Sequence, residues 1–108
     1  MADRMPAGYV KLAQEYITKS NEWMKDSDKP YQSMLVNIEI LLMLADRYPS
    51  TVNGLIKKAQ IKEWQETFNE WFERCGKKIP TKHREGIRKS ADDLFEKLGK
   101  YGNNIKWL

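Results

Sequence analysis

The sequence predicts an all-α protein, a compact bundle of four main helices with a short extra helix at residues 50–59. Three observations predict it. Only four Pro and six Gly occur, which favours helices over a β protein with many turns, and apolar residues recur at helical spacing in several segments. Apolar residues make up 41% of the chain and charged residues 31%, which suits a packed core with a polar surface. A length of 108 residues fits a single helical domain spanning residues 1–108.

The first helix is predicted from about Pro6 to Lys25. Two sets of apolar residues recur every seven positions on one side of it: Tyr9, Tyr16 and Trp23, and Val10, Ile17 and Met24. The polar stretch at residues 26–30 then interrupts the pattern. Asp28 in that stretch is the predicted N-cap of the next helix, because its carboxylate can accept a hydrogen bond from a backbone N–H of the first turn.

The second helix, predicted from Pro30 to Tyr48, is the most apolar element of the chain. Its main apolar face includes Met34, Ile38 and Leu41. The other sides are apolar too, through Val36, Ile40, Met43 and Leu44. A helix that is apolar nearly all round is buried on more than one side. We therefore expect it at the centre of the bundle, with a homodimer through residues 30–48 as the alternative use of its extra apolar surface.

The short helix at 50–59 has Ser50 as its predicted N-cap. A strongly amphipathic helix follows at residues 61–75. Its inward face carries Ile61, Trp64, Phe68, Trp71 and Cys75, and its outward face carries Glu63, Glu66, Glu70 and Glu73. This spacing of three and four residues predicts an aromatic face packed in the core and an acidic face in solvent. Gly76 is expected to end the helix.

The last helix has two candidate starts that the sequence does not separate. Thr81 follows a proline, whereas Ser90 precedes acidic residues that suit a first helical turn. Gly99 or Gly102 is expected to end the helix, leaving a short tail at residues 102–108. The apolar positions that predict this helix are Ile87, Ala91, Leu94, Phe95, Leu98 and Tyr101.

The net charge of +4 is concentrated in one segment. Residues 1–73 carry nine basic and eleven acidic side chains, and residues 91–108 carry three of each. Residues 74–90, here called the basic segment, carry seven Lys and Arg against one Glu. We predict that the basic segment is a connector between helices that provides a cationic surface for an acidic macromolecule.

No catalytic, cofactor or metal constellation is recognisable, so we expect a protein that is not an enzyme and has no cofactor. The single cysteine, Cys75, is predicted to pack in the core, and the single histidine, His83, to lie at the surface. One Cys and one His do not make a zinc site within one chain. A lone cysteine without a disulfide partner and the lack of a long apolar run favour a cytoplasmic protein without membrane association.

The helix start at Thr81 has a consequence for binding. It would place Lys82 and Arg84 in a first turn, where the helix dipole is already positive, and a bound anion would relieve that conflict. A start at Ser90 would leave the basic segment as a solvated connection. The residues expected to contact an anion or a partner are Lys77, Lys78, Lys82, Arg84, Arg88 and Lys89.

The predicted function is that of a small non-catalytic interaction protein, an adaptor or inhibitor, that engages an acidic partner through the basic segment. Trp107 and Leu108 are expected to add an apolar anchor. The partner is expected to be a protein rather than DNA or RNA, and nucleic-acid binding through the same residues is the alternative. In size and mixed charge the chain resembles accessory proteins of phages and mobile elements, a resemblance that covers no particular residues.

Overall fold

The computed structural model describes residues 5–25 and 30–102, without the side chain of Cys75. These residues form five α-helices and one 3-10 turn, and they contain no regular strand. The predicted all-α bundle is therefore confirmed, including its short extra helix. The helices are α1 (Ala7–Lys25), α2 (Tyr31–Arg47), α3 (Pro49–Leu55), α4 (Lys58–Cys75) and α5 (Thr81–Gly99), and the 3-10 turn covers Gly76–Lys78.

Helix α2 occupies the centre of the bundle and packs against each of the other four α-helices. Met34, Ile38 and Leu41 on its main face have no exposed surface. The central position predicted from its composition is thus confirmed. Its outer side is not covered within the described residues, since Val36 is 49% and Met43 57% exposed. A homodimer through residues 30–48 stays a prediction.

The aromatic face of α4 packs inward, as predicted. Trp64 and Phe68 are fully buried, and the Phe68 ring stacks 6.0 Å from Trp23 of α1. The buried Trp64 indole donates from Nε1 to Asn21 Oδ1 over 2.8 Å, so its polar atom is satisfied inside the α1–α4 interface. The four predicted acidic positions of α4 are exposed: Glu63, Glu66, Glu70 and Glu73.

Two predicted helix starts are wrong. The short helix begins at Pro49 and ends at Leu55, with Tyr48 rather than Ser50 at the N-cap and no side-chain capping bond. Proline is well suited to the first helical position, because the N–H that it lacks would have no partner within the helix. Helix α4 begins at Lys58, before the aromatic pattern that predicted it. The predictions for Asp28, the Cys75 side chain and the tail at 103–108 fall outside the described residues.

Helix α5 begins at Thr81, which decides between the two candidate starts. Pro80 precedes it in an extended conformation, with φ −52° and ψ 137°, and Thr81 is the first helical residue rather than the cap. The prediction of a connector over the whole basic segment is therefore wrong. Residues 74 and 75 end α4, residues 76–78 form the 3-10 turn, and residues 81–90 are the first half of α5.

Candidate basic interaction surface

The first half of α5 lies at the surface, in contrast to the second. None of residues 81–90 is buried. In the second half, Ala91, Phe95 and Leu98 are at most 1% exposed and form part of the core. The helix as a whole packs against α2 and α4. The basic side chains of the first half are thus carried on a helix whose second half packs in the core.

Arg84 makes an intramolecular contact and is not a fully exposed cation. Its Nη2 donates to the carbonyl oxygen of Ile79 over 3.0 Å, across the turn that leads into α5. The side chain is half-buried, and its buried Nε has no hydrogen-bond partner among the described residues. The carbonyl places partial negative charge beside a guanidinium in the first helical turn. This contact offsets part of the conflict between that cation and the helix dipole.

Arg88 connects α5 to α4. Its Nη1 lies 2.7 Å from Oε1 of Glu73, the last glutamate on the acidic face of α4. Both side chains remain well exposed, at 43% and 69%, so water screens the pair and its contribution to stability is small. The contact also shows that the acidic face of α4 borders directly on the basic segment.

The other four predicted residues are exposed lysines. Within the described ranges, none of the four forms an ion pair. Lys82 and Lys89 are seven positions apart and therefore lie on the same side of α5. The predicted set of six thus separates into two arginines that make intramolecular contacts and four lysines available to a ligand: Lys77, Lys78, Lys82 and Lys89.

A groove lies beside these lysines, between the start of α2 and the first half of α5. Apolar side chains supply most of its walls, and Gly86 of α5 opens onto it. Lys78, Lys82 and His83 border the groove, and no Asp or Glu is among the described residues that line it. His83 is exposed, as predicted. The apolar residues lining the groove are Tyr31, Leu35, Ile79, Pro80 and Ile87.

The sequence did not predict this groove. Tyr31 and Leu35 were expected to contribute to one apolar face of α2, and Ile87 to the core side of α5. All three are half-buried and line the groove between α2 and α5. A weak signal in the sequence is Gly86, a helical glycine with nothing within 4 Å of the position of an added Cβ, although Gly8 in α1 and Gly54 in α3 share both properties.

Other classes of site find no support in the described part of the chain. No group of three or more His, Cys, Asp or Glu side chains is arranged to hold a metal ion there. Among the helices of residues 5–25 and 30–102, none combines the length and hydropathy that crossing a bilayer requires. Comparison with protein families, curated proteins and solved structures gives no match to this chain.

Proposed function

We propose that this chain is a small non-catalytic interaction protein, of the adaptor or inhibitor type, that binds an acidic surface of a protein partner. The observation that carries the proposal is the exposure of four lysines that form no ion pair within the described chain; two of them, Lys78 and Lys82, border a groove whose described lining contains no Asp or Glu. Lys77 and Lys78 lie in the 3-10 turn before α5, Lys82 lies in the first turn of α5, and Lys89 lies two turns further along that helix. Arg84 and Arg88 add positive charge while contacting Ile79 and Glu73. Complementary charge of this kind orients a partner and accelerates its association.

Two features favour a protein over a nucleic acid. The apolar walls of the groove suit a side chain better than a phosphate backbone. The Arg88–Glu73 contact brings the acidic face of α4 up to the edge of the basic surface. A long polyanion that continued across this edge would meet exposed glutamates and be repelled, whereas a protein can present opposite charge to both regions.

The test measures the fluorescence anisotropy of a labelled acidic peptide and of a labelled single-stranded oligonucleotide of equal charge. We expect the wild-type chain to bind the peptide more tightly at physiological salt. The double substitution Lys78→Glu with Lys82→Glu should weaken peptide binding by about tenfold or more, because attraction is replaced by repulsion at two positions.

The matched control is Lys62→Glu with Lys100→Glu. Both lysines are exposed and border a different groove, between the start of α4 and the end of α5. The control lowers the net charge by the same amount, so equal loss of binding in both variants would show that only net charge matters. Tighter binding of the oligonucleotide, with an affinity that falls steeply with salt, would favour the nucleic-acid alternative.

The predicted anchor at Trp107 and Leu108 lies outside the described residues and is a separate part of the proposal. Deleting these two residues removes apolar surface without changing the number of basic side chains. If they contact the partner, the deletion should weaken binding while the Lys78→Glu and Lys82→Glu effect persists. Unchanged affinity of the truncated chain would remove the tail from the proposed interface.

A further inference from the structure

We propose that the groove between α2 and α5 receives one large apolar side chain from an acidic peptide segment of the partner. This inference rests on the proposed function and specifies it. The proposed partner presents a short segment that carries carboxylates on both sides of an apolar residue such as Leu or Phe. The basic side chains that border the groove would bind the carboxylates, and the groove would bind the apolar side chain between them.

The walls of the groove provide the apolar half of this site. Tyr31 and Leu35 contribute from successive turns of α2, and Ile87 faces them from α5. Each is half-buried and packed on one side against the core, so its position is set before a ligand arrives. The Tyr31 ring also contacts Trp71, with centroids 5.6 Å apart. Preformed apolar walls reduce the entropy cost of binding a side chain.

Gly86 provides the space. It lies in the middle of the first half of α5 and lines the groove. Any larger residue at this position would project a side chain from the helix. A Cβ built at Gly86 has nothing within 4 Å. Glycine is among the least favourable residues inside a helix, so this position gives up helix stability and leaves the groove open.

The charge around the groove selects the occupant. Lys78, Lys82 and His83 border it, and the part of its lining that the structure describes contains no carboxylate. The groove on the outer side of α2 differs, since Glu39 and Asp46 line it together with Val36 and Met43. An acidic segment is attracted to the first groove and repelled by the second. Charge complementarity thus points to an acidic peptide as the occupant of the α2–α5 groove.

The experiment uses the full chain and two labelled acidic peptides that differ only at a central residue, Leu in one and Ala in the other. The wild type should bind the Leu peptide about tenfold more tightly, since burial of a leucine side chain contributes affinity of that order. Gly86→Leu should fill the groove and remove this preference while leaving the lysines in place. Gly54→Leu, the same change in α3 away from the groove, should retain the preference.

The possible outcomes distinguish binding of an apolar side chain in the groove from binding of carboxylates by the lysines. Gly86→Leu should melt at or above the wild-type temperature, because leucine is a better helix former than glycine, so lost binding would not reflect unfolding. Equal affinity of the two peptides for the wild type would overturn the proposal that the groove binds an apolar side chain. The proposed binding role of the lysines would still be supported if Lys78→Glu with Lys82→Glu weakened the binding of both peptides. No binding of either peptide to the wild type would overturn the proposed function itself.

Discussion

The two halves of α5 share one helix but are held by different forces. The second half is anchored by burial of Ala91, Phe95 and Leu98. The first half depends on half-buried Ile87 and on the polar contacts of Arg84 and Arg88. Burial of a large apolar side chain is worth about 1.5–3 kcal/mol, whereas an exposed ion pair contributes about 0.2–1 kcal/mol. The second half of α5 therefore contributes most of the stability of the helix and the first half its cationic surface, so substitutions can change one while sparing the other.

The largest expected effect is on Phe95, in the anchored half. Phe95→Ala should lower the free energy of unfolding by about 3–5 kcal/mol, because Phe95 is 1% exposed and its ring packs 5.7 Å from Phe68. Ile87→Ala, the matched truncation in the first half, should cost much less, since Ile87 is only half-buried. Denaturant unfolding of the two variants measures the difference. Equal losses would contradict the division of the helix.

A smaller effect of opposite sign is expected at Gly86. Gly86→Ala should raise the free energy of unfolding by about 0.5–1 kcal/mol, because alanine loses less backbone entropy in a helix and the added methyl meets no atom. Thermal or denaturant unfolding measures this gain. A destabilised variant would show that the first half of α5 is not helical around this residue.

The contact between Arg88 and Glu73 should contribute less again. Arg88→Ala should lower the free energy of unfolding by no more than about 0.2–1 kcal/mol, because both side chains are well exposed. The loss should shrink as salt is added, since salt screens an exposed pair. A loss of several kcal/mol that is independent of salt would mean that the first half is anchored as firmly as the second.

The end of the anchored half has a contact that depends on pH. The O–H of Tyr101 donates to Oδ1 of Asp46 over 2.6 Å, and this bond, with burial as the lesser cause, raises the pKa of Tyr101 above its ordinary value of 10.0. A raised pKa stabilises the fold while the phenol is protonated, and this stabilisation is lost as pH rises through the folded-state pKa. Tyr101→Phe should therefore be less stable than the wild type below pH 10. The difference in unfolding midpoint should narrow at higher pH, and a constant difference would contradict this.

The sequence predicted the fold and most helix faces because burial follows apolar spacing. Trp64, Phe68 and Ala91 lie in the core where that spacing put them. The sequence did not decide the start of α5, because Thr81 and Ser90 both carry local signals for the start of a helix. The contact of Arg84 with the Ile79 carbonyl favours the earlier start, and it depends on a side-chain conformation that spacing does not encode.

The candidate surface was predicted only in part. The composition of the basic segment indicated six cationic residues, four of which are exposed and unpaired within the described chain. The division between arginines and lysines depends on Glu73, which comes close to Arg88 only after folding, and on the side-chain conformation that brings Arg84 to the Ile79 carbonyl. The groove was not predicted because Tyr31 and Ile87 lie far apart in the sequence and meet through the packing of α2 against α5.

The most direct test of the central claim is a map of backbone amide chemical shifts as an acidic peptide is added to the full chain. We expect chemical-shift changes at residues 77–89 and in the first turns of α2, with the amides of residues 91–99 nearly unchanged. The same titration of Lys78→Glu with Lys82→Glu should give little change anywhere. Shifts centred on the outer side of α2 or on the end of α5, or an unaltered response in the double variant, would contradict the claim that the first half of α5 is the binding surface.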